Sequence, residues 1–272
     1  MKSRILTALL LFPPVIYLIG WAPAWLFLVA VLVVAELALY EYFVICRHAG
    51  LRPLPAVGYV GVAALALAQA AGLLILVNPT LAVLVCLILL ALTVALFSAA
   101  DLRQYLGAIS STILGITYVG LGLSCLLPLR FSDPGEGWRL TFLLFLVIWA
   151  GDICAFFGGR TLGRHLLYPR VSPKKTVEGG IAGLAGSLLV AWGFAHWFWQ
   201  TANPKTVILL AAVVAVAGQL GDLAESAMKR GADLKDSGSI LPGHGGLLDR
   251  IDSLLFGAPA LWLAIMLKDF WR

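Results

Sequence analysis

The chain has 272 residues, of which 61% are hydrophobic and 12% are charged, and its formal net charge is +5. A soluble domain carries about a quarter charged residues, so this composition excludes an ordinary soluble protein and indicates a protein embedded in a lipid bilayer. The basic residues lie in loops between apolar runs, as membrane topology requires, and we therefore expect no binding of nucleic acid.

Nine apolar segments follow one another along the chain, most of them close to the length that crosses a bilayer. In chain order they are Ile5–Ile19, Ala24–Ile45, Val57–Val77, Leu81–Ala100, Ile109–Leu127, Thr141–Phe157, Ile181–Trp199, Val207–Met228 and Leu254–Leu267. The first segment is short, and a signal peptide is its alternative interpretation, but the long segment directly behind it favours a retained helix. The pattern predicts an all-α integral membrane protein, a polytopic bundle of about nine transmembrane helices.

Basic residues are distributed unevenly over the loops. When the loops are assigned alternately to the two sides of the membrane, one side holds 14 of the 19 Lys and Arg residues. The positive-inside rule makes that side cytoplasmic, together with the N-terminus and both long polar segments, Gly158–Gly180 and Lys229–Asp252. This topology fits a bacterial inner membrane. We expect a single integral domain over 1–272, with little signal in 1–140 and the functional residues in 141–272.

Acidic residues occur inside or beside three of the predicted spans. They are Asp152, Asp222, Glu225, Asp249 and Asp252. A carboxylate in hydrocarbon is costly, so these groups must face a polar cavity or a partner. Asp222, Glu225, Ser226 and Lys229 share one helical face, because they are spaced at i, i+3, i+4 and i+7.

Crowded carboxylates repel one another unless a cation lies between them, and ligands that are all oxygen suit Mg²⁺. Asp222, Asp249 and Asp252 are therefore predicted to meet around such an ion at the cytoplasmic rim. The alternative is that these acids cap helix ends and form ion pairs, such as one between Asp249 and Arg250.

The loop after the sixth span is basic and bounded by glycines. Its central residues are Lys174, Lys175, Thr176 and Glu178. Lysines beside the backbone N–H groups of a helix start suit phosphate oxygens, although a topology determinant or a lipid-headgroup patch is an alternative. His244 lies between glycines and has two interpretations, a phosphate or metal neighbour and a capping or surface group.

Two further acids, Glu36 and Glu41, lie in or beside the second predicted span. Glu41 is expected to pair with Arg47 or to extend to the cytoplasmic edge of the membrane. Neither acid is assigned any chemistry.

The segment SAMKRGADLKDSGSILPGHGGLLDRID, residues 226–252, resembles the defining motif of the phosphatidate cytidylyltransferase family, the CDP-diacylglycerol synthases. The matching residues are Ser226, Lys229, Arg230, Lys235, Asp236, His244, Gly245, Gly246, Asp249, Arg250 and Asp252. A second stretch is similar to another part of the family pattern through Asp152, Gly158, Ser172, Pro173, Lys175, Thr176, Glu178 and Gly179. The sequence departs from that pattern at Ile153, where Thr or Ser is common, and at Lys174, where Asn is common.

The resemblance implies an enzyme that joins CTP and phosphatidate into CDP-diacylglycerol, uses Mg²⁺ with a second cation left open, and forms a homodimer. It implies that Asp222 and Asp249 hold the metal ion. Asp252, Glu225 and Asp152 would be further ligands or neighbours, and Lys175, Lys229 and Arg230 would neutralise phosphates. The substrate pocket would be shaped by Ser172, Lys174, Thr176, Glu178, Ser226, Lys235, Asp236, His244, Gly245, Gly246 and Arg250.

Two other functions compete with this interpretation. An ion-coupled transporter would use intramembrane acids as coupling sites, but it should show inverted repeats and acids at mid-depth, which are not recognisable in the sequence. Another lipid-phosphate transferase would also use clustered aspartates. The CDP-alcohol transferase pattern, Asp-Gly-x-x-Ala-Arg with two spaced aspartates, does not occur in this chain.

Overall fold

A computed structural model describes residues 12–73, 79–98, 101–133, 135–240 and 245–270, with side chains described as far as residue 267. Within these residues, eight helices are long and apolar enough to cross a membrane. They are α1 (Ala24–His48), α2 (Pro55–Gly72), α3 (Thr80–Ser98), α4 (Leu102–Phe131), α5 (Gly137–Leu162), α6 (Val177–Trp197), α7 (Pro204–Gly231) and α8 (Leu248–Phe270). The predicted all-α polytopic membrane fold is confirmed.

The first and the last predicted spans can be compared with the structure to different extents. The first predicted span, Ile5–Ile19, lies partly outside the described residues, and residues 12–20 are helical. Helix α8 begins at Leu248, six residues before the predicted start of the last span, so Asp249 and Asp252 lie in its opening turns. The cytoplasmic position of the N-terminus remains a prediction.

The chain divides into two compact units. The first consists of Met1–Pro134 and Met228–Ile251, and the second consists of Gly135–Ala227 and Asp252–Arg272. Residues 229–251, called the polar segment below, therefore belong to the first unit with the N-terminal helices. The sequence analysis grouped this segment with residues 141–272, and that functional division remains a prediction.

The first unit packs α2 against α3 and α4 through a core of aliphatic side chains. The core consists of Val57, Leu65, Leu87, Ala91 and Ile116. Helix α4 opens with a 3₁₀ turn at Leu102–Gln104 and widens into a π-helical stretch at Ile116–Leu121. This stretch faces α2 at close range, because Gly61 lies against Ile116 and Gly120 lies against Val62.

In the second unit, α5 and α6 pack closely along a seam of small residues. Gly158 lies against Ala182, and Gly151 lies against Ser187, whose hydroxyl donates a 2.8 Å hydrogen bond to the carbonyl of Val147. Small residues let helix backbones approach in a bilayer, where packing rather than hydrophobic burial holds helices together. An antiparallel hairpin of β1 (Leu166–Tyr168) and β2 (Ser172–Thr176) connects the two helices.

Replacing Gly158 with valine should destabilise this seam. A Cβ at Gly158 would overlap the Cβ of Ala182, and overpacking of this kind costs about 1–3 kcal/mol. We expect a lower midpoint of thermal unfolding for Gly158→Val in detergent. Gly231→Ala is the control, because a Cβ at Gly231 meets no atom within 4 Å. Equal midpoints for the two variants would contradict the close packing of α5 on α6.

Candidate functional site

Four carboxylates from three helices lie close enough to interact in the second unit. Asp252 of α8 interacts electrostatically with Asp222 and Glu225 of α7 and with Asp152 of α5. Glu225 is completely buried. These residues are called the carboxylate cluster. Like charges at such a site repel one another, and either a nearby cation or protonation relieves the repulsion.

Close backbone packing places α8 beside α7 at this cluster. A Cβ at Gly221 would lie 2.6 Å from the carbonyl oxygen of Asp252 and would also press on Phe256. Glycine at this position therefore lets Asp252 approach Asp222, the next residue along α7. A larger side chain would separate the two helices where their carboxylates interact.

A lysine from the hairpin reaches the carboxylate cluster. The Nζ of Lys175 in β2 forms an ion pair with Oδ2 of Asp222, and each side chain is about one-third exposed. The basic loop and one of the intramembrane acids, both of which the sequence places toward the cytoplasmic side, are thus in direct contact. Lys175 therefore places a positive charge against one carboxylate of the cluster.

The neighbouring hairpin residues shape the start of α6. Thr176 is the N-cap of this helix, and its Oγ1 accepts a 3.1 Å hydrogen bond from the N–H of Gly179. Glu178 accepts hydrogen bonds from the N–H groups of Arg164 and His165, and it pairs with Nδ1 of His165 at 2.6 Å. Both residues therefore have local structural partners, and their predicted contacts with substrate remain predictions.

The other predicted residues of this region occupy more open positions. Ser172 and Lys174 lie on β2, where Ser172 is half-buried and Lys174 is exposed, and Ser226 is half-buried on α7. Gln219 of α7 donates a 3.0 Å hydrogen bond to the carbonyl of Gly180, which fixes the first turn of α6 against α7. The binding of substrate by Ser172, Lys174 and Ser226 remains a prediction.

In the first unit, Asp249 organises the polar segment. Its Oδ1 lies 2.5 Å from the Nζ of Lys229, and both side chains are 11% exposed. Its Oδ2 accepts hydrogen bonds from the N–H of Ser237 at 3.1 Å and from the N–H of Gly246 at 2.9 Å. Asp249 thus joins the end of α7, the middle of the polar segment and the start of α8.

The contacts of Asp249 can be compared with the alternative interpretation, in which the acids cap helix ends and form ion pairs. Its partner is Lys229, whereas Arg250, suggested as a partner by the sequence, has an exposed side chain. The contact with Gly246 resembles a capping interaction, since a carboxylate in the first turn accepts from an N–H just before the helix. Asp249 belongs to the first unit and Asp222 to the second, so their sharing of an ion remains a prediction.

The remaining predicted residues of the polar segment are more exposed. Arg230 donates to the carbonyl of Leu234 at 3.0 Å, and both Lys235 and Asp236 are exposed. Gly245 has a φ of 80°, a backbone conformation that favours glycine. His244 lies outside the described residues.

Sequence reasoning missed Glu41. The expected pairing with Arg47 or extension to the membrane edge is wrong, because the Glu41 side chain is 1% exposed. Its Oε2 accepts a 2.9 Å hydrogen bond from the hydroxyl of Ser237 and a 2.7 Å hydrogen bond from the N–H of Leu248. The sequence did indicate that Glu41 has a polar partner, since an acid inside an apolar span must face one.

The donor set of the carboxylate cluster suits Mg²⁺, which prefers oxygen ligands and binds through few carboxylates. The ammonium of Lys175 already pairs with Asp222, so a metal ion at this carboxylate would share it with the lysine. Among the described residues, no three His, Cys, Asp or Glu side chains are arranged as a ready-made metal site. Binding would therefore require the carboxylates to adjust or the substrate phosphates to complete the shell.

Comparison with known proteins identifies relatives. A model described as the cytidylyltransferase family matches residues 2–268. A phosphatidate cytidylyltransferase of Synechocystis sp. is 35% identical, and the alignment covers 89% of either chain. That of Bacillus subtilis is 39% identical over 64% of this chain and 68% of the relative. That of Staphylococcus haemolyticus is 40% identical, and this chain spans just over half of it, 56%.

Proposed function

Because the chain belongs to the cytidylyltransferase family, we propose that it transfers CMP from CTP to phosphatidate, giving CDP-diacylglycerol and pyrophosphate. Its apolar helices and bacterial relatives make it an integral protein of a bacterial plasma membrane. The observation that carries the proposal is the ion pair between Lys175 and Asp222, because it joins the basic hairpin to the carboxylate cluster. A reaction between two phosphate anions needs both kinds of group.

The reaction does not require a strong general base from the protein. An oxygen of the lipid phosphate attacks the α-phosphorus of CTP, a new P–O bond forms, and the bond to the departing pyrophosphate breaks. The second pKa of a phosphate monoester is about 6, so the attacking oxygen is already ionised at neutral pH. The main barrier is the repulsion between the two anions and the charge that develops on the leaving group.

Cationic side chains of the protein are proposed to lower this electrostatic barrier. Lys175, Lys229 and Arg230 are proposed to neutralise phosphate oxygens. In the resting structure Lys175 and Lys229 are held by carboxylates, Asp222 and Asp249 respectively. These pairs keep each ammonium at a defined place, so that it is already oriented when a phosphate arrives.

Mg²⁺ is the proposed cofactor, and the carboxylate cluster would hold it in the second unit. Asp222 is the first proposed ligand, with Asp252, Glu225 and Asp152 as further ligands or neighbours, and Asp249 stays a proposed ligand on sequence grounds. When bound, the ion would neutralise the charge of the nucleotide phosphates and of the pyrophosphate. A second cation remains part of the proposal.

The finer assignments are also proposals. The nucleotide and headgroup pocket is proposed to include Ser172, Lys174, Thr176, Glu178, Ser226, Lys235, Asp236, His244, Gly245, Gly246 and Arg250. The cytoplasmic rim is the proposed position of this pocket, since it is where a soluble nucleotide and a diacyl lipid meet. A homodimer is proposed from the family resemblance alone.

Incorporation of radiolabelled CTP into chloroform-soluble product tests the activity. We expect incorporation that requires phosphatidate, is abolished by EDTA and is restored by excess Mg²⁺. Purified protein assayed without lipid substrate is the control. An intact preparation that incorporates no label with both phosphatidate and Mg²⁺ present would exclude the proposed transfer.

A further inference from the structure

A buried acid of the N-terminal helices contacts the polar segment. Glu41 lies on α1 and is 1% exposed, and its hydrogen-bond donors, Ser237 and Leu248, are 1% and 0% exposed. Burying a carboxylate is costly unless it is hydrogen-bonded, and the two donors to Oε2 offset part of that cost. The contact joins residues that are 196 and 207 positions apart in the chain.

One of these donors is the first N–H of a helix. The N–H of Leu248 belongs to the opening turn of α8, whose first four N–H groups have no partner within the helix. A carboxylate at this end is also favoured by the helix dipole. Glu41 therefore acts as a cap for α8 that is supplied by a different helix.

The other donor connects Glu41 to Asp249. Ser237 is bound at two points, since its N–H donates to Asp249 and its hydroxyl donates to Glu41. Leu248, the second donor to Glu41, directly precedes Asp249 in the chain. Both hydrogen bonds of Glu41 thus fix residues that determine where the Asp249 carboxylate lies.

Two glycines let the backbone close around the Glu41 carboxylate. A Cβ at Gly238 would overlap Oε1 of Glu41, and a Cβ at Gly246 would overlap the hydroxyl of Ser237 and lie 2.5 Å from Oε2 of Glu41. Side chains at either position would push the polar segment away from the acid. The glycines of this segment therefore serve the contact with Glu41 as well as the turn itself.

We propose that Glu41 is a positioning residue for the transfer reaction, which seats the polar segment so that Asp249 and Lys229 are held in their working geometry. This inference rests on the proposed function for the reaction it serves. The essential property is the ability of Oε2 to accept two hydrogen bonds. Glutamine can supply such an oxygen, whereas alanine cannot.

Steady-state kinetics of Glu41→Ala and Glu41→Gln test the inference. For Glu41→Ala we expect kcat per folded molecule to fall by about 10–100-fold, with a smaller change in KM for CTP, as for residues that orient a catalytic group. Glu41→Gln should restore kcat to within about threefold of the wild type, because the accepted hydrogen bonds survive. Glu36→Ala, a change of the same residue type on the same helix, is the matched control and should behave as the wild type.

Hydrogen–deuterium exchange provides a readout that does not depend on catalysis. Peptides that cover residues 235–240 or 245–250 should lose protection in Glu41→Ala and keep it in Glu41→Gln and Glu36→Ala. Ser237→Ala, which removes one of the two donors, should cause a partial loss. The Glu41→Ala and Ser237→Ala effects should be less than additive, because they remove one shared bond.

The outcomes separate the two proposals. If the wild type transfers no CMP but Glu41→Ala still loses protection, the function is wrong and the positioning role stands. If the wild type is active while folded Glu41→Ala keeps its kcat and its protection, the positioning role is wrong. Loss of activity and protection in Glu41→Gln equal to that in Glu41→Ala would overturn the hydrogen-bond mechanism.

Discussion

Asp249→Asn is expected to lower cytidylyl transfer by about 100-fold or more, the scale of losing a group that orients charge at the reacting phosphates. Asp249 accepts from the Nζ of Lys229 on one oxygen and from the N–H groups of Ser237 and Gly246 on the other. The amide of asparagine presents an N–H₂ to one of these donors and removes the negative charge that pairs with Lys229. Initial rates at saturating CTP, normalised to folded protein, measure the effect.

Folding must be measured beside the rate in this variant. Removing one partner of a buried charge pair costs about 3–5 kcal/mol, so the thermal midpoint should also fall. The variant should still be recovered from the membrane fraction, because its apolar helices are unchanged. A rate like that of the wild type in folded Asp249→Asn would show that neither this carboxylate nor its contact with Lys229 is needed.

Lys175→Ala is expected to lower kcat/KM for CTP by about 100-fold, because it removes a fixed positive charge from the meeting point of two anions. The same change leaves Asp222 without the ammonium that it contacts. Lys175→Arg should recover part of the activity, since the charge returns but the compact ammonium does not. Assays over a range of Mg²⁺ concentrations show whether added metal compensates for the lost lysine.

Lys268→Ala is the control for this experiment. The sequence places Lys268 after the last predicted span, on the side of the membrane opposite Gly158–Gly180 and Lys229–Asp252. The substitution should therefore leave the rate unchanged. A similar loss in both lysine variants would mean that overall charge rather than the position of Lys175 matters. An active Lys175→Ala would remove the hairpin from the reaction.

Hydropathy was sufficient to predict the fold class. Spans such as Thr141–Phe157 and Val207–Met228 lie inside α5 and α7, because a stretch that crosses a bilayer must be apolar over its whole length. Helix ends were less predictable. Helix α8 extends back to Leu248 because Asp249 and Glu41 satisfy N–H groups at its start, and such contacts leave no mark in hydropathy.

The features of the site that could be predicted were those that depend on residues close together in the sequence. The charges and the topology placed the basic loop and the acids of α7 on the same side of the membrane, and in the structure Lys175 contacts Asp222. The hairpin of β1 and β2 was not predicted, because its strands have three and five residues and little apolar alternation. Glu41 was missed because its partners are about 200 positions away.

The seating of the polar segment on α1 has a consequence for protein engineering. A chimera that joins the C-terminal half of this chain to the N-terminal helices of a relative retains every residue of the recognisable signature. If Glu41 positions this segment as proposed, the chimera should function only when the incoming first half supplies a side-chain oxygen that accepts two hydrogen bonds at the place of Glu41, with room for Gly238 and Gly246 to close around it. The two halves are exchangeable as a matched pair rather than as independent modules.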